Sequence, residues 1–228
     1  MKGLDFELLK KLPAKPRREQ VWQTRRRVII TAFVLLAISL AGIIGCGGGL
    51  GVMNTLDTTL TSGLSQSWEY IRNGEYNKAL DELTKLYSAA ATTTEKQQVA
   101  EAMGWAWLYK GDLDKAISYL KEAQEVSFDA KFGLACALIA RGQDGDFQEA
   151  YNVLVQTPLK DLTSQIVSDH GLSYNAAEAH ALFAIAAFAT GRMTEARSHI
   201  IKAKELDTGY GYSPVSRVYD SLVKDLGV

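Results

Sequence analysis

Little in this chain lends itself to metal or covalent chemistry. Only two of its 228 residues are cysteine, Cys46 and Cys136. That excludes a disulfide framework and any cysteine-rich zinc centre. The three histidines, His170, His180 and His199, include no pair at the four-residue spacing of a helical zinc motif. Proline is scarce too, and beyond residue 62 only Pro158 and Pro214 occur. No run there alternates apolar and polar residues, so the long C-terminal stretch is predicted to be helical rather than stranded. The net charge is only −1, but charge is segregated along the chain. Residues 1–27 carry nine Lys or Arg against three Asp or Glu, and the remaining 201 residues carry 16 basic and 23 acidic side chains. A nucleic-acid-binding domain carries its basic stripe on the folded part. Here the folded part is acidic, so no nucleic-acid partner is expected.

What the chain does contain is one uninterrupted apolar run. Val28 to Cys46 reads VIITAFVLLAISLAGIIGC and holds no charge over its 19 residues. That length crosses a bilayer, and a soluble helix of that length would show a polar face. Arg25, Arg26 and Arg27 precede it directly, which keeps residues 1–27 cytoplasmic and sends everything after residue 46 to the extracytoplasmic side. Two forms of anchor are open. Ile43-Ile44-Gly45-Cys46 resembles the bacterial lipobox, which implies cleavage after Gly45 and lipidation of Cys46. The alternative is an uncleaved transmembrane anchor. Its support is the 27-residue stretch upstream, longer than a signal peptide needs, and the small-residue ladder Ala41, Gly45, Gly49. Thr24 to Ile29 also resembles a twin-arginine export signal, although a plain basic flank accounts for it better. Residues 2–12 read either as a short amphipathic helix on the cytoplasmic face or as part of a discarded leader. Residues 47–62, GGGLGVMNTLDTTLTS, form a Gly/Thr-rich tether. They lack the Lys-Ser/Thr ending of a phosphate-cradling loop.

From residue 63 to 228 one short phrase recurs. It reads GEYNKA from Gly74, GDLDKA from Gly111, GDFQEA from Gly145 and GRMTEA from Gly191. The closing alanines, Ala79, Ala116, Ala150 and Ala196, are spaced 37, 34 and 46 residues apart. A period near 34 is the mark of stacked helix pairs. Each glycine is expected to end one helix and turn the chain into the next, where positive φ is needed. The pattern resembles the tetratricopeptide repeat (TPR). The copy around Gly111 carries the likeness best: Gly104, Trp107, Gly111, Ala116, Leu120 and Ala123 take the family's small, aromatic, turn and packing positions. Ala184, Ala187, Gly191, Ala196, Ile200 and Ala203 match in the fourth copy, and Tyr70, Gly74, Ala79, Leu83 and Leu86 in the first. The third departs, with Gln143-Asp144-Gly145 reading as an insertion in its turn. Residues 157–176 read as an extended connector, and Pro214 to Leu226 as a capping helix. The fold implied is an all-α TPR-like solenoid of about four helix pairs plus a cap, behind the membrane segment.

The resemblance also implies where a partner lies. TPR ligands occupy a groove lined by the first helix of each pair. That register places Trp68 and Arg72, then Gln98, Glu101, Trp105 and Tyr109, then Asp129 and Phe132, then Glu178 and Ile185 on the groove, with Trp107 in the core. With Arg72 as the main cation, the groove does not suit acidic peptide termini. Trp68 and Trp105 read equally as packing between repeats. No catalytic constellation is legible. Ser168-Asp169-His170 holds the three residue types of a hydrolase triad, but sequence neighbours rarely face one another and no nucleophile elbow surrounds them, so a surface loop is expected. Cys136, within the apolar FGLACALIA, reads as an inert core thiol. The expectation is therefore a membrane-anchored scaffold or assembly factor for protein partners. It is expected to have no cofactor, metal, enzymatic activity or small-molecule substrate. The alternative is an accessory subunit of a larger membrane complex.

Overall fold

The computed structural model describes residues 58–164, 166–208 and 213–227. The basic segment 1–27, the apolar run 28–46 with Cys46, and most of the tether lie outside the described residues. Within them the fold is all-α, with nine helices and no strand. They are α1 (Thr58–Arg72), α2 (Tyr76–Ala89), α3 (Thr93–Lys110), α4 (Leu113–Ala123), α5 (Phe128–Arg141), α6 (Asp146–Leu154), α7 (Ala176–Ala189), α8 (Met193–Leu206) and α9 (Pro214–Leu226). A single 3-10 turn, Pro158–Lys160, sits between α6 and α7. α1 begins five residues before the expected boundary at 63, within the Gly/Thr-rich stretch. None of these helices is long and apolar enough to cross a membrane.

Local sequence sets the helix ends. Thr92 accepts from the Glu95 amide while the Glu95 carboxylate reaches back to the Thr92 amide, a reciprocal cap that starts α3. Asn175 and Glu178 repeat the device at α7. Ser127 caps α5 through the Ala130 amide. At the other ends the recurring phrase performs one geometric task three times. After α3, the Gly111 amide donates to the Leu108 carbonyl and the Asp112 amide to that of Trp107. The same pair of bonds follows Gly74 and Gly191. This closure needs φ near the 82° found at Gly111, which a residue with a Cβ resists. The third copy differs as its sequence foretold. Gly142 ends α5, and Gly145 is displaced to the start of α6. The inserted turn is held by Asp146, which takes a two-point contact from Arg141 (Nε–Oδ2 3.1 Å, Nη2–Oδ1 2.8 Å) and the Gln143 amide at 2.7 Å.

Each helix packs on the next in the chain, and the first helices of successive pairs also touch: α1 with α3, α3 with α5, α5 with α7. These odd-numbered helices therefore form one layer, and α9 covers α7 and α8 at the end. Small residues set the close approaches. A Cβ on Gly104 would lie 2.4 Å from Leu120 Cγ, so α3 and α4 meet where a side chain is missing on one of them. Ala79, Ala116, Ala150 and Ala196, the phrase-closing alanines, are all fully buried. Of the adjacent tryptophans, Trp105 is the buried one, and Trp107 is half-buried at the core edge with Lys115 Nζ 4.0 Å from its ring centroid. The family register had reserved the core for Trp107. Adding a methyl at the α3–α4 crossing should overpack it: Gly104→Ala is expected to cost about 1–3 kcal/mol in urea unfolding despite its better helix propensity, and Leu120→Ala to recover part of that in the double variant.

Between α7 and α8 the core buries a histidine pair. His180 is fully buried and His199 nearly so, their Nδ1 atoms are 2.9 Å apart, and His199 stacks on Phe183 at 3.8 Å. One ring must donate and the other accept, and burial disfavours a charge on either. His180 Nε2 has no partner among the described residues. Burial pushes both imidazoles down to about 4, aided by Lys202 near His180 and by the mutual repulsion felt at His199. In the unfolded chain they protonate near 6.5. The unfolded state therefore binds more protons between those values, and stability falls as the pH drops from about 6.5 towards 4. The loss is on the order of 2 kcal/mol per histidine. The double variant His180→Leu, His199→Phe should flatten that part of a plot of urea midpoint against pH.

Candidate functional site

The face shared by α1, α3 and α5 is filled, and its occupant is the chain itself. After the 3-10 turn, Asp161 folds the chain by accepting from the Thr163 amide at 2.8 Å. Residues 166–174 then run back over the first three helix pairs. The anchor is Asp129, wholly buried in the first turn of α5. Its Oδ2 accepts from Ser168 Oγ at 2.8 Å and from the His170 amide at 3.1 Å, and its Oδ1 accepts from the Tyr174 hydroxyl. The Ser168 hydroxyl oxygen in turn accepts from the Leu172 amide at 2.9 Å, which rounds the segment into a turn. The Gly171 position at φ +64° completes that bend beside Arg72.

His170 carries the second set of contacts. Its ring stacks on Trp68 with centroids 4.0 Å apart and planes 10° apart. Its Nε2 lies 3.4 Å from Glu101 Oε2, and Glu101, almost fully buried, also accepts from Ser127 Oγ. Arg72 Nη1 donates to the His170 carbonyl at 3.0 Å. Tyr174 supplies the third set. Its ring lies 4.3 Å from Phe132 and parallel to Trp105 at 6.1 Å. Trp105 is itself fixed by donating Nε1–H to the Asp129 carbonyl at 3.2 Å. Its indole rests where Gly133 has no side chain, since a Cβ there would lie 2.8 Å away.

The electrostatics follow from burial. Removal from water raises the Asp129 carboxyl, and the bonds from Tyr174, Ser168 and His170 offset only part of that. Burial alone would lower His170, but the bond to Glu101 and the nearby charges of Glu101, Asp129 and Asp169 outweigh it, so its imidazole is raised above the ordinary value. Burial and the adjacent Asp129 push the Tyr174 phenol up, which keeps it a donor. Donor atoms of Glu101, Asp129 and His170 all lie within 4.8 Å of one another. Both Asp129 oxygens already accept hydrogens from the connector, so these three groups close on protons of the chain. Serine, histidine and aspartate meet here too, but the Ser168 hydroxyl donates to the carboxylate rather than to the imidazole, so the proton relay of a hydrolase triad is not formed.

Seven of the ten groove residues drawn from the repeat register gather here: Trp68, Arg72, Glu101, Trp105, Asp129 and Phe132 against the connector, and Tyr109 beside Trp105 at 5.6 Å. Gln98 is half-buried and its Oε1 has no partner among the described residues. Glu178 is spent on the cap of α7, and Ile185 is buried in the core. Cys136 is held protonated by burial, as a core thiol should be. The sequence reading missed the occupant: Ser168, His170 and Tyr174, together with Ser127. The 46-residue step between the last two phrase copies, a dozen residues beyond the common period, was the available signal. The Ser-Asp-His run is a partly exposed loop, as expected, but Ser168 and His170 reach back into the layer. No protein-family model matches the chain, and no curated protein does either.

Removing the anchor leaves a hydroxyl, an amide and a phenol without their acceptor. Asp129→Ala is therefore expected to destabilise the fold by about 3 kcal/mol. Asp129→Asn, which keeps one acceptor oxygen, should lose less, as read from urea midpoints.

Proposed function

We propose that this chain is a protein-interaction scaffold or assembly factor of the TPR type, a solenoid of four helix pairs and a cap. Residues 28–46 anchor it, either as a transmembrane helix or through lipid on Cys46, with the repeats on the extracytoplasmic side. The single observation that supports this reading most is the layer of α1, α3 and α5 holding a non-helical segment of polypeptide. It does so with side-chain hydrogen bonds at Asp129 and aromatic stacking at Trp68 and Trp105. A surface able to hold nine residues of its own chain has the means to hold those of another. Trp, Tyr and Arg, the types that most often dominate binding energy, supply it.

A second reading has an observation of its own. With the groove filled from within, the outer helix faces are what remains for contact, which suits a fixed accessory subunit of a membrane complex. The uncleaved anchor and its Ala41, Gly45, Gly49 ladder would then pack against neighbouring subunits.

Intact mass and cross-linking mass spectrometry on tagged protein from its native membranes separate the two. A scaffold is expected to cross-link to varied partners from the α1–α3–α5 side and, where lipid on Cys46 holds it, to lose residues 1–45 and gain acyl mass. An accessory subunit keeps its full 25.0 kDa and cross-links to one fixed set of proteins through both residues 28–53 and the repeats. Protein found in the soluble fraction without cross-links contradicts both.

A further inference from the structure

We propose that residues 166–174 are an intramolecular ligand that closes the α1–α3–α5 groove, and that a partner opens it by presenting the same chemistry. That chemistry is a turn-forming segment with a serine hydroxyl, a histidine two residues on and a tyrosine four beyond that. The inference rests on the scaffold reading for its partner, but the closure stands on contacts within this chain.

The contacts behave as recognition rather than as packing. Of the connector side chains that carry them, Ser168, His170 and Tyr174 each present a polar head to a complementary group fixed by the helices. Asp129 receives two hydroxyls and an amide, Glu101 receives the imidazole, and Arg72 caps the carbonyl. Part of the receiving surface is held in place independently of the connector. Trp105 is fixed to the Asp129 carbonyl and to Gly133, and Glu101 to Ser127. Lifting the connector would strip Asp129 of its three donors and Glu101 of the imidazole, while Ser127 still donates to Glu101, so another segment that supplies those groups favours the open state. Val167, near the start of the segment, is 76% exposed, which leaves that side of the connector in water.

Proton dependence is built into the same contacts. The charged groups facing the His170 ring are Glu101 from α3, Asp129 from α5 and Asp169 beside it, with Arg72 from α1 on its carbonyl. Three acidic groups against one cation favour the imidazolium. The imidazole is raised in the docked state. Docking is then strongest below the free-histidine value near 6.5 and weakens as the pH rises through the docked value.

The test uses the full chain in detergent and a labelled synthetic peptide of residues 166–175, IVSDHGLSYN, followed by fluorescence anisotropy. Wild type, with its groove filled, is expected to bind weakly. His170→Ala, which frees the resident segment and leaves the helices untouched, should bind the peptide at least tenfold more tightly at pH 6. That binding should weaken severalfold by pH 8, and a peptide with alanine at its histidine should lose it. Ser168→Ala removes a single hydroxyl and must move in the same direction, which keeps the test standing if His170→Ala fails to fold. Equal binding by wild type and variants, or no binding by a variant whose circular dichroism is intact, overturns the latch. Failure there with membrane cross-links retained leaves the scaffold reading to another face. A working latch with no cross-linked partner removes the scaffold reading instead.

Discussion

The structure turns on one buried carboxylate. Asp129 lies in the first turn of α5, where the helix dipole favours a negative charge, but it has no exposed surface. A carboxylate in that position is tolerated only if its lone pairs are met. α5 does not meet them. The hydrogens come from Ser168, His170 and Tyr174, about forty residues further along the chain. The connector is thus required by the charge beneath it, and its path back over the helix layer follows from where those three donors must arrive.

The regularity of the helices makes that possible. Three identical glycine closures fix the angle at which one helix hands over to the next, and the alanines and Gly104 let neighbours approach closely. The first helices of successive pairs are brought side by side, so Trp68, Glu101, Trp105 and Asp129 from three different helices face one segment. The fourth pair is built for another purpose. α7 is buried nearly all round, and the histidine pair lies between it and α8.

Much of this was legible in residues. The glycine phrase placed the turns, the Gly104–Leu120 contact was implied by the small and large positions of the repeat, and Pro214 marked the start of the last helix. Seven residues of the groove register lie together around the connector. What it could not show was that their partner was already present. A connector is read from the absence of periodicity, and nothing in Ser-Asp-His-Gly-Leu-Ser-Tyr signals where three polar heads will land. That depends on tertiary geometry between residues some forty to a hundred positions apart, as between Arg72 and His170. The same geometry exchanged the expected places of the adjacent tryptophans. Trp105 sank beneath Tyr174, and Trp107 was left at the edge with two lysines over its ring.

Amide hydrogen exchange across residues 166–174 of the full chain tests the central claim most directly. If Asp129 holds the connector, the amides of His170 and Leu172 are protected on the order of a hundredfold over an unstructured peptide. They should still exchange faster than the amides of α3 and α5, because the segment lifts without unfolding them. Exchange at the unstructured rate would contradict the account, since the groove would then stand open and the buried carboxylate would be satisfied by something other than this chain.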